Sequence, residues 1–226
     1  MKTTRFQANL LFTLLLGLIA PCANADFARL TIHSEPGDFI GQGQNKTILY
    51  TTANSDFFGT TAAGDISGAP VFFEFVGGTV TGSNSTNTFA ILDFDTFQLG
   101  VPFMVGTTYG LPGNTAQRSG FNGPGHPGLD VSFQNRGCNT LTGNFTILAA
   151  DFSPGGGGAL IPNFFEVSFE QHCEGVEPAL FGTFTYSNRP LGVPESGTTA
   201  TLFIVALASL CWLQRLLAVT AVRNTN

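Results

Sequence analysis

The feature that most constrains this chain's fold is an alternation of apolar and polar residues with a period of two. In the segment NFFEVSFEQHC (163–173), one side carries Phe165, Val167, Phe169 and Cys173, and the other carries Glu166, Ser168, Glu170 and His172. Successive side chains of a strand point to opposite faces, so this segment is predicted to be a half-buried strand. GLDVSFQN (128–135) and ALFGTFTY (179–186) repeat the pattern, and no window shows convincing helical periodicity.

Further strands are predicted between clusters of Gly, Pro, Asn and Ser. They are Phe27–His33, Lys46–Thr52, Val71–Val76, Thr88–Phe97 and Asn144–Phe152. Short strands at this spacing, with no helical crossover between them, favour antiparallel pairing in a sandwich or barrel. We predict an all-β protein with a single antiparallel β-sandwich, of jelly-roll or immunoglobulin-like type, whose core is filled by many of the 23 Phe residues.

The first 25 residues have the composition of an export signal. Lys2 and Arg5 precede an apolar run from Leu10 to Ala20, and small residues follow at positions 23–25. This order is typical of a secretory signal peptide, and we predict cleavage after Ala25. The Sec translocon and signal peptidase are therefore expected partners. The predicted organisation is a signal peptide (1–25), a β-sandwich domain (26–190) and a C-terminal segment (191–226).

The C-terminal segment carries an apolar run without charge from Thr198 to Leu213, followed by Arg215 and Arg223. The run of about 16 residues is slightly shorter than the roughly 20 that cross a bilayer comfortably. We nevertheless predict a transmembrane helix, because a terminal segment that is apolar on all sides is a poor core helix. The arginines beyond it predict that the body of the protein lies outside the inner membrane.

Charge and cysteine content narrow the classes of partner. Between Asp26 and Ser196, five Lys and Arg residues accompany fifteen Asp and Glu residues, a net charge of −10. This charge repels phosphate backbones and argues against nucleic-acid binding. Of the four cysteines, Cys22 lies in the signal peptide and Cys211 in the apolar run. Export exposes the remaining pair, Cys138 and Cys173, to an oxidising compartment, and we predict a disulfide between them.

Two small clusters of polar residues are candidates for a catalytic or metal-binding role. Asp93 and Asp95 share the outward face of a predicted strand, but no calcium-loop motif accompanies them, and they are interpreted as a solvated face. Glu170 and His172 share a face too, and a transition metal there would need a third ligand such as His33 or His126. No nucleophile elbow is present either. No catalytic residue, metal site or cofactor is predicted.

The motif VPESG, formed by Val193, Pro194, Glu195, Ser196 and Gly197, stands directly before the apolar run and its arginines. This arrangement resembles the C-terminal sorting signals of the PEP-CTERM class of exported bacterial proteins, and most closely the VPDSG variant, with Glu195 in place of Asp. The resemblance implies recognition by an exosortase, a membrane transpeptidase that cuts near the motif during delivery to the surface. Segments around Cys138 (NRGCN) and Cys173 (QHCEG) are more loosely similar to uncharacterised exported β-rich proteins.

These features predict an exported protein that is transiently anchored in the inner membrane and then sorted to the cell surface or extracellular matrix. The class often accompanies exopolysaccharide production, so a structural or adhesive role in a biofilm is the first hypothesis. A carbohydrate-binding module is the alternative, supported by a β surface rich in Thr and Asn. A glycan-active hydrolase is the third hypothesis, since paired carboxylates on neighbouring strands are invisible in a sequence.

Overall fold

The computed structural model describes residues 26–65, 68–80, 87–176 and 178–189. These residues form strands joined by turns, with single-turn 3₁₀ segments at Phe97–Leu99 and Gly156–Gly158. The strands are β1 Phe27–Ser34, β2 Asn45–Thr51, β3 Phe57–Gly64, β4 Val71–Gly78, β5 Ala90–Asp95, β6 Thr108–Tyr109, β7 Gln117–Arg118, β8 Gly128–Phe133, β9 Leu141–Pro154, β10 Ala159–Cys173 and β11 Ala179–Ser187. The predicted all-β class is confirmed.

Both predicted targeting segments lie outside the described residues. This applies to the signal peptide (1–25) and to the C-terminal segment (191–226) with its motif at 193–197 and its arginines, Arg215 and Arg223. In the ranges that are described, no helix combines the length and the apolar character needed to cross a membrane.

Hydrogen bonds join the strands into one mixed sheet in the order β2-β1-β11-β10-β3-β4-β5-β8-β7, and β9 pairs with both β10 and β6. The prediction of purely antiparallel pairing is wrong at one place, because β7 runs parallel to β8. That pairing involves only two residues of each strand. Gly120 and Gly125 in the connecting loop adopt left-handed φ values of 77° and 82°, which allow the tight turns that bring β8 back parallel to β7 without a helix.

Strand β10 connects the other strands into one hydrogen-bonded path. It pairs with β9 and β11 along most of its length, and its first residues, Ala159 and Leu160, pair with β3. The Gly-rich segment before it is a tight hairpin turn between β9 and β10. The turn can be this short because Gly157 and Gly158 both take left-handed φ values.

Phenylalanine fills the core, as predicted. Phe73 of β4 stacks on Phe165 of β10 with ring centroids 4.2 Å apart, and Phe75 of β4 lies 4.9 Å from Phe184 of β11. All four rings are fully buried. The inward faces of β4 and of β10 and β11 therefore pack against each other, and polar residues such as Glu74, Glu166 and Thr183 lie on their outward faces.

A disulfide and a buried glutamine connect β10 to the chain around β8. Cys138 and Cys173 are bonded, with Cα atoms 5.1 Å apart, as the sequence predicted. Next to this bond, Gln171 Nε2 donates to the carbonyl of Val131 at 2.9 Å, and Gln171 Oε1 accepts from the Val131 N–H at 2.8 Å. Strand β7 pairs with β8 only at Gly128 and Leu129, so the glutamine amide satisfies backbone groups that would otherwise need a neighbouring strand.

Candidate functional site

The outward face of β2, β1, β11, β10, β9 and β6 carries a continuous line of hydroxyl groups, which we call the hydroxyl row. Each residue of the row lies opposite the next in the strand register. In spatial order its members are Thr47, Thr31, Thr183, Ser168, Thr146 and Thr108. With adjacent strands about 4.8 Å apart, the row extends for roughly 24 Å across the strands.

The hydroxyls of the row differ in their partners. At its two ends they bind each other: Thr31 Oγ1 lies 3.1 Å from Thr47 Oγ1, and Thr108 Oγ1 lies 2.8 Å from Thr146 Oγ1. At the centre, the hydroxyls of Thr183 and Ser168 make no hydrogen bond to another described residue. Thr183 is exposed and Ser168 is partly exposed. The central hydroxyls are therefore available to a bound molecule.

A second line of residues runs beside the hydroxyl row, and we call it the mixed row. It is set by the same register and contains Asn45, His33, Phe181, Glu170 and Asn144. His33 Nδ1 hydrogen-bonds to Asn45 Oδ1, and the His33 ring lies 6.2 Å from that of Phe181. The mixed row thus supplies an aromatic ring, an amide and a carboxylate next to free hydroxyls.

A shallow cleft of about 430 Å³ lies over the centre of both rows. Its lining includes Thr31, Thr183 and Ser168 from the hydroxyl row. From the mixed row it includes His33, Phe181, Glu170 and Asn144. Such a combination of an aromatic ring with hydroxyl, amide and carboxylate groups can contact the apolar face of a sugar and hydrogen-bond to its hydroxyls.

Glu170 and His172 share one face, as predicted. His172 Nε2 lies 2.9 Å from Glu170 Oε1, and Asn144 Nδ2 donates to Glu170 Oε2 at 3.0 Å. The hydrogen bond from His172 is the main cause that lowers the pKa of Glu170, and that from Asn144 adds to it.

The possible third metal ligands named from the sequence do not complete this pair. His126 lies in the loop before β8, where its Nδ1 is 2.9 Å from the carbonyl oxygen of Thr115. His33 belongs to the mixed row, where it is engaged with Asn45. Within the described part of the chain, no group of three or more His, Cys, Asp and Glu residues is placed to hold a metal ion.

Three carboxylates lie side by side on the outward face of β4, β5 and β8. Glu74 is opposite Asp93, and Asp93 is opposite Asp130. Arg118 Nε binds Asp130 Oδ2 at 2.9 Å. Asp93 Oδ1 is buried without a hydrogen-bond partner among the described residues. Burial, followed by the charges of Glu74, Asp130 and Asp95, raises the pKa of Asp93 to about 7.

The interpretation of Asp93 and Asp95 as a solvated face is wrong. Asp95 is only 4% exposed, because the chain before β8 folds over the end of β5. From that loop, Ser119 Oγ and Asn122 Nδ2 donate to the Asp95 carboxylate at 2.9 and 3.3 Å. A side chain at Gly128, which pairs with Asp95, would collide with this carboxylate.

Replacing Asp93 with Asn is expected to stabilise the protein at neutral and higher pH. A raised carboxyl pKa means that the folded chain holds a proton that the unfolded chain has lost. The destabilisation that Asp93 causes is therefore absent when the pH is below its ordinary pKa of 3.8, and it grows until the pH reaches the raised pKa of about 7. Urea unfolding between pH 4 and 8 measures this effect. Over that range the free energy of unfolding of Asp93→Asn should rise by at least about 1 kcal/mol relative to that of the unchanged protein. A gain that does not depend on pH would contradict the assigned pKa.

The hydroxyl row is a feature that sequence reasoning missed. In the sequence, each of the strands in the row has Thr or Ser among its outward positions. This predicts a Thr-rich surface, but it does not predict that the hydroxyl groups form a line. The alignment depends on register between distant segments, such as Thr31 with Thr183, and that register is set by strand order. No family model matches the chain, and neither does any curated protein or solved structure with which it was compared.

Proposed function

We propose that this chain is an exported surface or matrix protein whose β domain binds extracellular polysaccharide through the hydroxyl row and the mixed row. This proposal joins the adhesive role and the carbohydrate-binding role that the sequence left as alternatives. The polysaccharide would lie across the strands, along the row, with the central cleft as its main point of contact.

The observation that carries the proposal is the unbroken hydroxyl row. An extended polysaccharide presents hydroxyl groups at regular intervals along a line, and the row presents donors and acceptors at the regular spacing of strands. The free hydroxyls of Thr183 and Ser168 lie at its centre, beside the Phe181 ring. Ligand sites of this kind combine apolar surface with a few polar groups that fix orientation.

Export and sorting form the second part of the proposal, and they rest on the sequence. The Sec translocon would carry the chain across the inner membrane, and signal peptidase would remove residues 1–25. An exosortase-like transpeptidase would then recognise residues 193–197. The apolar run would hold the chain in the inner membrane until that cut, with Arg215 and Arg223 on the cytoplasmic side. The disulfide between Cys138 and Cys173 is compatible with an oxidising destination.

We propose further that the domain is a β-sandwich, within the single hydrogen-bonded path. The contacts of Phe73 with Phe165 and of Phe75 with Phe184 support two packed layers, one containing β4 and β5 and the other β10 and β11. In this arrangement the hydroxyl row and the carboxylates of β4, β5 and β8 lie on opposite outer faces.

Binding of the purified full chain, kept in mild detergent, to an array of extracellular polysaccharides tests the proposed function. The variant Thr183→Val with Ser168→Ala removes both central hydroxyls and keeps the shape of the strands. It should bind the retained polysaccharide about tenfold more weakly or worse, because each lost hydrogen bond contributes roughly 1 kcal/mol. Thr61→Val, at an exposed position on β3 that faces Glu74, is the matched control and should bind normally.

Two results would refute polysaccharide binding by this face. One is that the unchanged protein retains no polysaccharide, which would leave only a structural role. The other is that the double variant and Thr61→Val bind equally well.

The intact mass of the mature protein, recovered from the cells that make it, tests the sorting proposal. We expect a chain that starts at Asp26 and ends near the VPESG motif, with any attached group added to its new end. A variant with Glu195→Ala should keep its tail if the motif is read by a sorting enzyme. Recovery of the unchanged protein with residues through Asn226 would instead indicate a permanent membrane anchor.

A further inference from the structure

Resting on the proposed function, we infer that the cleft selects uncharged polysaccharides over acidic ones, and that Glu170 is the residue responsible. Hydroxyl groups on the protein cannot by themselves distinguish one class of polysaccharide from another. Neutral, uronate-containing and sulfated polysaccharides all present hydroxyls, and they differ in charge.

The position of Glu170 places a carboxylate beside the proposed path of the polymer. Glu170 follows Ser168 by two residues on β10, so both side chains project from the same face. In the register Glu170 lies between Phe181 and Asn144, and these three residues line the cleft together with Ser168. A sugar that covers the Phe181 ring would therefore have a carboxylate at its edge.

The carboxylate of Glu170 is held in place from both sides. His172 Nε2 binds Oε1 at 2.9 Å, and Asn144 Nδ2 binds Oε2 at 3.0 Å. These contacts also lower the pKa of Glu170, so its charge persists over the pH range in which most carboxylates are ionised. Each oxygen can still accept a further hydrogen bond from a sugar hydroxyl, because a carboxylate oxygen has two lone pairs.

The remainder of the cleft offers no compensating cation. Of the described residues that line it, none is Lys or Arg, and His33 is engaged with Asn45. Arg29 is on the same face of β1 but lies on the far side of the hydroxyl row, opposite Leu49 and Thr185. His172, the neighbouring group that can carry a positive charge, is already bound to Glu170 at 2.9 Å. A uronate or sulfate would therefore meet a carboxylate and no Lys or Arg among the described residues that line the cleft, whereas a neutral ring would meet hydrogen-bond acceptors and an apolar surface.

Competition between two probes tests this inference on the full chain in mild detergent and low salt. The probes are a neutral β-linked glucan and a polymer of uronic acid, each titrated against the unchanged protein and two variants. Glu170→Gln removes the charge in the cleft and keeps the shape of the side chain. Glu166→Gln is the matched control, since Glu166 projects from the same face of the same strand but pairs with Thr185, outside the cleft.

We expect the unchanged protein to prefer the neutral polymer. Glu170→Gln should reduce that preference about fivefold, which is the effect of one like-charge contact at ~4 Å in water. The change should come from tighter binding of the acidic polymer. Glu166→Gln should change the preference by less than half as much. Added salt should reduce the preference of the unchanged protein and have little effect on that of Glu170→Gln.

Three outcomes would overturn the inference while polysaccharide binding stands. They are equal binding of both polymers by the unchanged protein, an unchanged preference in Glu170→Gln, and equal effects of the two variants, which would assign the preference to overall charge. Failure of the unchanged protein to bind either polymer, or any other on the array, would refute the proposed function and the inference with it.

Discussion

Removal of the disulfide by the double substitution Cys138→Ala with Cys173→Ala should lower the free energy of unfolding by roughly 3–4 kcal/mol in the chain-entropy model. The bond closes a loop with a sequence separation of 35 residues, so it restricts the unfolded chain substantially. Both sulfur atoms belong to buried residues, and Ala avoids placing a hydroxyl in that apolar site. For a domain of this size the loss corresponds to a decrease in Tm of roughly 10 °C.

The measurement is urea unfolding of the oxidised protein, of the same protein under reducing conditions, and of the double variant. We expect the reduced protein and the variant to unfold at similar, lower urea concentrations than the oxidised protein. A free-thiol assay on periplasmically expressed protein should find neither Cys138 nor Cys173 reactive. Titration of both thiols, or equal midpoints with and without reductant, would contradict a stabilising disulfide.

Gln171→Leu should destabilise the fold by about 2–6 kcal/mol, although Leu is apolar and of similar size. Gln171 is fully buried, and its amide is the partner of both the N–H and the carbonyl of Val131. Leucine would leave these two buried backbone groups unpaired, at about 1–3 kcal/mol each. The usual expectation that an apolar residue improves a core is therefore reversed at this position.

Urea unfolding of Gln171→Leu is best compared with Gln98→Leu, an exposed glutamine in the 3₁₀ segment after β5. The control should change stability by no more than about 0.5 kcal/mol, as is usual for surface substitutions. An equally small effect of Gln171→Leu would mean that water or rearranged backbone replaces the amide.

The disulfide and the glutamine should also be energetically coupled. Gln171 Nε2 lies 3.3 Å from Cys138 Sγ, so removal of the bond changes the surroundings of the amide. Residues in contact commonly show non-additive effects of 0.5–3 kcal/mol. A double-mutant cycle between Gln171→Leu and the paired cysteine substitution measures this coupling, and strict additivity would show that the two act independently.

Alternation along single strands was sufficient to predict much of the secondary structure. The strands β1, β8, β10 and β11 were predicted because apolar and polar residues alternate along them, and β4 because its apolar run lies between turn residues. Strand β3 was missed because its inward positions include Thr60 and Ala62 and its outward ones include Gly59, so no apolar alternation is visible. The short strands β6 and β7 have only two residues each and offer no pattern at all.

Features that depend on distant segments could not be predicted in the same way. The burial of Asp95 is caused by Ser119 and Asn122, which a loop brings over the end of β5. The hydroxyl row requires the register of six strands, and one-residue slips would turn the same threonines to the other face. Glu170 and His172 were correctly placed on one face because two residues of one strand need no such information.

The most direct test of the account is oxidative footprinting of the full chain, in mild detergent, with and without the polysaccharide that it retains. Phe181 lies in the cleft beside the central hydroxyls, whereas Phe121, 78% exposed in the loop before β8, does not line it. The account predicts that the polysaccharide slows oxidation of Phe181 and leaves that of Phe121 unchanged. Protection of Phe121 with no change at Phe181 would contradict binding by the hydroxyl row.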